Sequence, residues 1–319
     1  MSTIITSPIS VIAISGGIGG AKLALGLDRI LPENKLAVLC NTGDDFEHLG
    51  LHISPDVDTV MYTLAGIANP ETGWGREGET WSFMRSLEAL GGETWFQLGD
   101  KDLAIHVERT RRLRHGEALT SIVADFALRL GVQARLLPMS DQPVRTTVKT
   151  DEGTLPFQRY FVERRCVPSV QGFSFDGVDE AHPPDGLMQL LQSDHLEAII
   201  ICPSNPFISI DPILAVPGMR EALSASPVPV VAVSPIIGGK AVKGPTAKMM
   251  IELGMPTTSK AVAEHYHGLL SGFVLDEGDA DQVKSLDLPC LVTPTLMNTE
   301  ADKWRLASEV LDFARDLAT

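Results

Sequence analysis

Short apolar runs alternate along the chain with longer segments in which apolar residues recur at helical spacing. The runs occupy residues 12–14, 35–40, 197–202, 228–233, 273–275 and 288–292. Runs without polar alternation are typical of strands that are buried on both faces of a parallel sheet. The segments between them place apolar side chains on one helical face. The pattern therefore predicts the α/β fold class, with a Rossmann-like three-layer core and a mostly parallel sheet.

The pattern changes to strict alternation after residue 140. Alternate apolar or β-branched positions precede a turn at residues 151–153, and aromatic residues follow it. Such alternation predicts antiparallel strands with one solvated face. We therefore predict a smaller inserted antiparallel β segment. The predicted division is a core of residues 1–139 and 186–319 and an inserted β-rich subdomain of residues 140–185.

The first apolar run ends in a glycine-rich loop, Ser15-Gly16-Gly17-Ile18-Gly19-Gly20-Ala21-Lys22, before a helical segment. Glycines allow positive φ angles and let backbone N–H groups approach a ligand, and a helix N-terminus attracts anions. The loop matches neither the dinucleotide-binding nor the P-loop fingerprint. We predict that Ser15, Gly16, Gly17, Gly19 and Lys22 bind a phosphate. The alternative is a tight strand-to-helix turn without a ligand.

Carboxylates follow the second apolar run. Asp44 and Asp45 lie where open α/β sheets bind ligands, and they suit a metal ion or a hydroxyl group. Asp56 and Asp58 precede a further helical run, so that one of them can cap this helix instead. His48 and His52 have a metal-binding spacing for a helix, but Gly50 between them weakens that helix.

Trp74 stands between two glycines, where it can stack on a flat ligand or pack its loop onto the core. Gln97 begins a polar segment, Gln-Leu-Gly-Asp-Lys-Asp, that ends another apolar stretch. A basic helical segment that includes Arg109 follows, and we expect most of its arginines to be solvated.

Two later loops also carry candidate ligands. The segment Pro203-Ser204-Asn205-Pro206 presents a hydroxyl and an amide between prolines, and such groups suit the edge of a nucleobase. A second glycine loop contains Gly238, Lys240 and Lys243 and is a candidate local basic site.

Composition narrows the function further. The chain has 41 acidic and 26 basic residues and a net charge of −15, which argues against binding nucleic acid or an anionic membrane surface. Cys40, Cys166, Cys202 and Cys290 are far apart in sequence, so we expect buried thiols rather than disulfides or a zinc site. The N-terminus has no basic region before its apolar residues, and no apolar run suffices to cross a bilayer. We expect a cytoplasmic protein.

The ordered motifs resemble the 2-phospho-L-lactate transferases of coenzyme F-420 biosynthesis over nearly the whole chain. They are Ser-Gly-Gly-x-Gly, Asn-Thr-Gly-Asp-Asp, Ser-Pro-Asp-Val-Asp-Thr, Gly-Trp-Gly, Leu-Gly-Asp, Pro-Met-Ser-Asp, Pro-Ser-Asn-Pro and Ser-Pro-Ile-Ile-Gly. Lys101 stands where the family usually has arginine. This difference keeps the charge but loses bidentate geometry.

The resemblance implies transfer of a phospholactyl-type group from a guanosine diphosphate conjugate to the deazaflavin Fo, with release of GMP and with Mg²⁺ as cofactor. It also implies a homodimer. No motif distinguishes phospholactate, phosphoenolpyruvate and 3-phosphoglycerate as the activated acid. The alternative hypothesis is a non-catalytic, nucleotide-sugar-binding regulatory protein that shares the opening motifs.

Each candidate residue then has an expected role. The guanylyl donor is expected at Ser15, Gly16, Gly17, Gly19, Lys22, Ser204, Asn205, Gly238 and Lys240. The resemblance implies that Asp58 and Gln97 bind Fo. Trp74, because it stands between two glycines, is the candidate stacking partner. Asp44 and Asp45 are the expected metal ligands, and Asp44 and Asp58 the expected catalytic residues.

Overall fold

A computed structural model of the chain describes residues 8–318. Its strands are β1 (Val11–Ser15), β2 (Leu36–Cys40), β3 (Phe46–His48), β4 (Leu51–Ile53), β5 (Arg135–Pro138), β6 (Arg145–Thr150), β7 (Gly153–Pro156), β8 (Val170–Asp176), β9 (Ala198–Ile201), β10 (Val230–Val233), β11 (Ile236–Ile237), β12 (Lys240–Ala241), β13 (Gly272–Leu275) and β14 (Cys290–Val292). Its α-helices are α1 (Ile18–Ile30), α2 (Pro55–Leu64), α3 (Ser82–Ala89), α4 (Asp100–Arg114), α5 (Leu119–Arg129), α6 (Leu187–Leu191), α7 (Asp211–Ala215), α8 (Met219–Ser224), α9 (Thr246–Glu252), α10 (Ser259–His265) and α11 (Glu300–Asp316).

The central sheet is parallel throughout. Within the described residues it has seven strands in the order β14-β13-β10-β9-β1-β2-β5. Strand β1 is buried at all five positions, as its unbroken apolar pattern predicts for a central strand with helices on both faces. The predicted parallel α/β sheet is confirmed.

Two hydrophobic clusters lie on opposite faces of this sheet, because successive strand side chains point to opposite sides. Ile12 and Ile14 of β1 pack in one cluster, with α7 to α10. Val11 and Ala13 pack in the other, with α1, α2, α5 and α11. This arrangement is the predicted three-layer core.

The predicted antiparallel segment is also confirmed. Strand β6 pairs with both β7 and β8, and the register shifts between Lys149 and Thr150. Val148 and Val170 of this small sheet pack in the same hydrophobic cluster as Ile12 of the central sheet. The division into residues 140–185 and the rest stays a prediction.

Cys40 and Cys202 are buried, as expected, whereas Cys166 and Cys290 are only half-buried, and all four are free thiols. Among the helices of residues 8–318, none combines the length and the apolarity that crossing a bilayer requires.

Candidate active site

The loops that follow β1, β2, β9 and β10 surround a cavity of about 630 Å³, which is within the usual range for small-molecule sites. It lies where the strand order reverses, since β2 and β9 flank β1 on opposite sides. The predicted residues that line it are Gly17, Gly19, Lys22, Asp44, Asp58, Trp74, Gln97, Ser204 and Asn205. The other predicted residues, Ser15, Gly16, Asp45, Gly238 and Lys240, are not among the described residues that line it.

The glycines after β1 are required by space rather than by backbone conformation. None of the glycines of this loop has a positive φ angle, so that part of the prediction is wrong. A Cβ atom on Gly19 would lie 2.4 Å from the carbonyl oxygen of Pro203. A Cβ atom on Gly17 would lie 2.7 Å from Asp56 Oδ1. Glycine therefore lets this loop approach both the loop after β9 and the carboxylate of Asp56.

The loop after β9 is held by its own polar side chains. Ser204 Oγ accepts a hydrogen bond of 3.1 Å from the Gly16 N–H group and so joins the two loops. Asn205 Oδ1 accepts a hydrogen bond of 3.0 Å from the Phe207 N–H group. Within residues 8–318, the hydrogen-bond partner of Asn205 Nδ2 is the sulfur of Met249, at 3.4 Å. The amide oxygen of Asn205 is thus used within the protein, while its NH₂ group has a weak partner.

Asp44 and Asp56 share one hydrogen-bond donor. Asn41 Nδ2 lies 2.9 Å from Asp56 Oδ2 and 3.5 Å from Asp44 Oδ1. Burial raises the pKa of Asp56 to about 7, although the hydrogen bond from Asn41 acts in the opposite direction. Burial and the neighbouring charges of Asp56 and Asp45 raise the pKa of Asp44 well above its usual value. The raised pKa values show that nearby positive charge does not compensate the two carboxylates. A divalent cation between them would stabilise their ionised forms.

Asp45 faces away from the cavity. Its Oδ2 atom accepts a hydrogen bond of 2.8 Å from Ser54 Oγ and lies 2.9 Å from His52 Nε2. His52 and His48 lie on the antiparallel hairpin of β3 and β4, not on a helix. The side chain facing the cavity beside Asp44 is Asp56, which was not among the predicted metal ligands.

Asp58 is bound to a buried arginine. Arg109 Nη1 donates a hydrogen bond of 3.0 Å to Asp58 Oδ2, and Nη2 contacts the other carboxylate oxygen. Asp58 raises the pKa of Arg109 despite the opposing effect of burial, whereas burial raises the pKa of Asp58 against the charges of Arg109 and His106. The bidentate contact with a guanidinium favours the ion pair. Arg109 is 0% exposed, so it is an exception on a helix whose arginines were mostly expected to be solvated, and Arg111 and Arg114 are exposed. The N-cap residue of α2 is Ser54, not Asp56 or Asp58, and no hydrogen bond of a capping side chain is present there among the described residues. The predicted capping role of an aspartate is therefore wrong.

His106 lies between two carboxylates beside this pair. Its ring nitrogens are 3.7 Å from Asp58 Oδ2 and 3.3 Å from Asp102 Oδ2, and neither nitrogen has a hydrogen-bond partner within residues 8–318. The hydroxyl of Tyr62 donates to Asp102. Asp58, Asp102 and His106 are close enough to hold a cation together. Arg109 already neutralises Asp58, so the carboxylates of Asp44 and Asp56 fit a metal ion better.

Aromatic side chains line another part of the cavity. Trp74 is 45% exposed. Trp95 and Phe96, which the sequence analysis did not select, also line the cavity, and their ring centroids are 5.7 Å apart. Gln97 Nε2 donates a hydrogen bond of 2.8 Å to the Thr94 carbonyl oxygen. This wall suits a flat, aromatic ligand.

The lysine that faces the cavity from the second glycine loop is Lys243, not Lys240. Gly238 and Gly239, both with positive φ, form the two-residue turn between β11 and β12, and Lys240 follows this turn. Lys22 Nζ donates a hydrogen bond of 2.8 Å to the Met297 carbonyl oxygen. Burial and the charges of Lys243 and Lys303 lower the pKa of Lys22.

Residues 11–288 match the family model described as 2-phospho-L-lactate transferase CofD. The chain belongs to this family. It is therefore a transferase enzyme, as the resemblance implied.

Transferases with two different names are similar to this family member. A phosphoenolpyruvate transferase of Streptomyces griseus is 39% identical over 316 residues, which cover 96% of this chain and 99% of the relative. A 2-phospho-L-lactate transferase of Methanosarcina mazei is 40% identical over 303 residues, with 94% and 98% coverage. A Bacillus halodurans protein of the UPF0052 family has a similar structure, with a TM-score of 0.62, 12% identity and coverage of 96% and 99%. At that identity the likeness shows the fold alone, so it does not favour the regulatory hypothesis.

The segment around Lys101, where the resemblance implies an arginine, makes contacts that stabilise the fold. Asp100 accepts hydrogen bonds of 3.0 and 3.1 Å from the Phe83 and Ser82 N–H groups and thereby caps α3. Lys101 is exposed, and its Nζ atom donates a hydrogen bond of 2.9 Å to the Glu77 carbonyl oxygen. Lys101 is not among the cavity residues. The side chain of Lys101 therefore lies outside the cavity of this transferase.

Proposed function

We propose that this transferase moves a phospholactyl-type group from a guanosine diphosphate conjugate to the deazaflavin Fo and releases GMP, as a step in coenzyme F-420 biosynthesis. One observation carries the proposal: a single cavity contains the glycine loop, the carboxylates of Asp44 and Asp56, and an aromatic wall. These parts match an anionic donor, a divalent cation and a flat acceptor. The names of the relatives leave phosphoenolpyruvate and phospholactate as candidate groups.

The donor diphosphate is assigned to the N-terminus of α1. No side chain of the described residues caps this helix, and its first turn contains no acidic residue, so its N–H groups are available to an anion. Lys22 lies one turn further along and faces the same cavity. Gly17 and Gly19, which tolerate no Cβ atom, keep the surrounding backbone close to the ligand.

Mg²⁺ is assigned to Asp44 and Asp56. The two carboxylates share one amide hydrogen-bond donor, and both have raised pKa values, so a cation with oxygen ligands relieves their repulsion. Asp56 also borders Gly17 of the phosphate loop. When bound there, Mg²⁺ supplies positive charge to the phosphoryl oxygens of the donor.

The transfer forms one bond and breaks another at phosphorus. The ribityl hydroxyl oxygen of Fo bonds to the phosphorus that carries the three-carbon acid, and the bond from this phosphorus to the bridging oxygen breaks. GMP leaves with that oxygen, and the hydroxyl proton passes to solvent. Both oxygens of Asp58 already bind Arg109, so Asp58 is assigned to orientation of Fo rather than to proton transfer.

A product analysis tests this function. The purified protein is incubated with Fo, Mg²⁺ and, in separate reactions, guanosine diphosphate conjugates of lactate, enolpyruvate and glycerate. We expect one conjugate to give a deazaflavin product with the mass of the added acid phosphate, together with an equal amount of GMP. Absence of both products with every conjugate would refute the proposal.

Guanine recognition is assigned to the NH₂ group of Asn205. Because Asn205 Oδ1 already accepts from Phe207, the substitution Asn205→Asp preserves this contact and removes the donor, while the negative charge that it adds repels GDP and ADP alike. We predict that Asn205→Asp weakens binding of GDP, measured by calorimetry, by about tenfold or more, since a buried guanine carbonyl loses its partner. ADP binding should change much less. Equal losses for GDP and ADP would show that Asn205 only holds its loop.

The apparent affinity for Mg²⁺ should rise with pH through about 7, because both assigned ligands have raised pKa values. The raised pKa means that folded, metal-free protein retains a proton on Asp56 at pH values where the unfolded chain has lost it. The free energy of unfolding of the metal-free protein therefore falls as the pH rises from the ordinary aspartate pKa toward 7. Below pH 7, Mg²⁺ must displace the proton on Asp56 in order to bind. We expect Mg²⁺ to raise the melting temperature more at pH 8 than at pH 6. The same difference in Asp56→Asn would contradict the assignment.

A further inference from the structure

Two lysines in the cavity have no carboxylate partner. Within residues 8–318, neither Lys22 nor Lys243 forms an ion pair with an acidic side chain. The hydrogen bond of Lys22 goes to the Met297 carbonyl oxygen at 2.8 Å, and that of Lys243 to the Thr72 carbonyl oxygen at 3.4 Å. In a chain with a net charge of −15, two neighbouring lysines that repel each other and have no ion-pair partner among the described residues need an explanation.

The repulsion between these lysines is significant because Lys22 is partly buried. Lys243 and Lys303 add positive charge beside it, and the pKa of Lys22 is lowered by burial first and by these charges second. An anion with several oxygens placed between Lys22 and Lys243 replaces this repulsion with charge-assisted hydrogen bonds to both. A diphosphate has enough oxygen atoms to contact both lysines and the N-terminus of α1.

Lys243 also contacts the loop that carries Trp74. Its hydrogen bond to Thr72 is long, and a Cβ atom on Gly73 would lie 3.2 Å from Lys243 Nζ and 3.0 Å from Ile18 Cγ2. Thr72 and Gly73 therefore rest directly on the glycine loop and on this lysine. An anion that draws Lys243 toward Lys22 competes with its contact to Thr72.

We propose that Lys22 and Lys243 together bind a diphosphate, and that its binding repositions the loop carrying Trp74 before the flat acceptor enters. Lys243 is thus a ligand of the donor site that also controls the acceptor site. The inference rests on the proposed function only in taking the diphosphate to be part of a guanosine conjugate. It predicts that the donor binds first.

Inorganic pyrophosphate tests the anion site without a nucleotide. It is titrated calorimetrically into the ligand-free full-length protein, in the presence of a chelator so that metal ions do not contribute. We expect Lys243→Gln and Lys22→Gln each to weaken binding by about tenfold or more, because each removes a charged hydrogen-bond donor. Lys149→Gln, at an exposed position on β6, is the matched control and should bind as the unmodified protein does.

Tryptophan fluorescence tests the movement of the loop. Pyrophosphate should change the emission of the protein, and the change should be lost both in Trp74→Phe and, at saturating pyrophosphate, in Lys243→Gln. Unchanged pyrophosphate affinity in Lys243→Gln, or a loss in Lys240→Gln instead, would overturn the site. Normal pyrophosphate binding without a Trp74 signal would overturn the coupling. Because pyrophosphate binding requires neither Fo nor turnover, these results are independent of the product analysis above.

Discussion

Replacement of Asp44 by asparagine should lower the turnover number by about a hundredfold or more and weaken the dependence of turnover on Mg²⁺. Loss of groups that only support metal ligands already lowers affinity or activity by about ten- to a hundredfold, so loss of a ligand should do at least as much. The variant should fold, because an amide relieves the repulsion that Asp44 experiences from Asp56 and Asp45. Steady-state rates across a range of Mg²⁺ concentrations measure the effect.

Two further variants make this prediction specific. Glu47→Gln removes an exposed carboxylate on the neighbouring strand β3 and should leave the Mg²⁺ dependence unchanged. His106→Gln tests the other group of possible ligands, Asp58, Asp102 and His106. If His106→Gln abolished the Mg²⁺ dependence while Asp44→Asn preserved it, the metal would have to be moved to that group.

The fold could be predicted from the sequence because its signals are local. The apolar runs of β1, β2, β9 and β10 have no polar alternation, which only strands covered on both faces can tolerate. The alternation after residue 140 predicted the small antiparallel sheet, because alternation is typical of strands with one solvated face. The positions of strands within the sheet were not predicted, because strand order depends on contacts between distant segments.

The candidate site was predictable in its segments but less so in its individual residues. A glycine loop, an Asp-Asp pair and a Pro-Ser-Asn-Pro segment each follow a strand, so the cavity could be expected at their common edge. Which aspartate faces the cavity depends on orientation within a loop, and here Asp56 faces it while Asp45 binds His52 and Ser54. The sequence had no signal for this choice.

Arg109 shows a second limit of sequence reasoning. Its neighbours Arg111 and Arg114 are exposed on the same basic helix, and only contact with Asp58 on a different helix explains why Arg109 is fully buried. The charge pattern of a single helix cannot reveal a partner that lies 51 residues away in sequence. The available signal was helical spacing, which places positions 109 and 111 on different faces of the helix and so allows one to be buried while the other is exposed.

Arg109→Met should lower the free energy of unfolding by about 3–5 kcal/mol, because it leaves the carboxylate of Asp58 buried without its bidentate partner. Asp58 is 4% exposed, so its carboxylate is largely shielded from water. Arg111→Met is the matched control on the same helix. Its salt bridge to Glu108 is exposed, and its loss should change the stability by about 1 kcal/mol or less.

Urea unfolding of both variants without ligands measures this difference, and a double variant separates the charge effect from lost packing. Asp58→Leu combined with Arg109→Met removes both charges, so it should be more stable than Arg109→Met alone. Asp58→Asn should also be destabilised, since it leaves Arg109 buried with a neutral partner. Any fall in its turnover must therefore be measured where the variant is fully folded. If Arg109→Met were no less stable than Arg111→Met, the buried ion pair would not stabilise this wall of the cavity. The side chain of Asp58 would then lack a fixed orientation toward Fo.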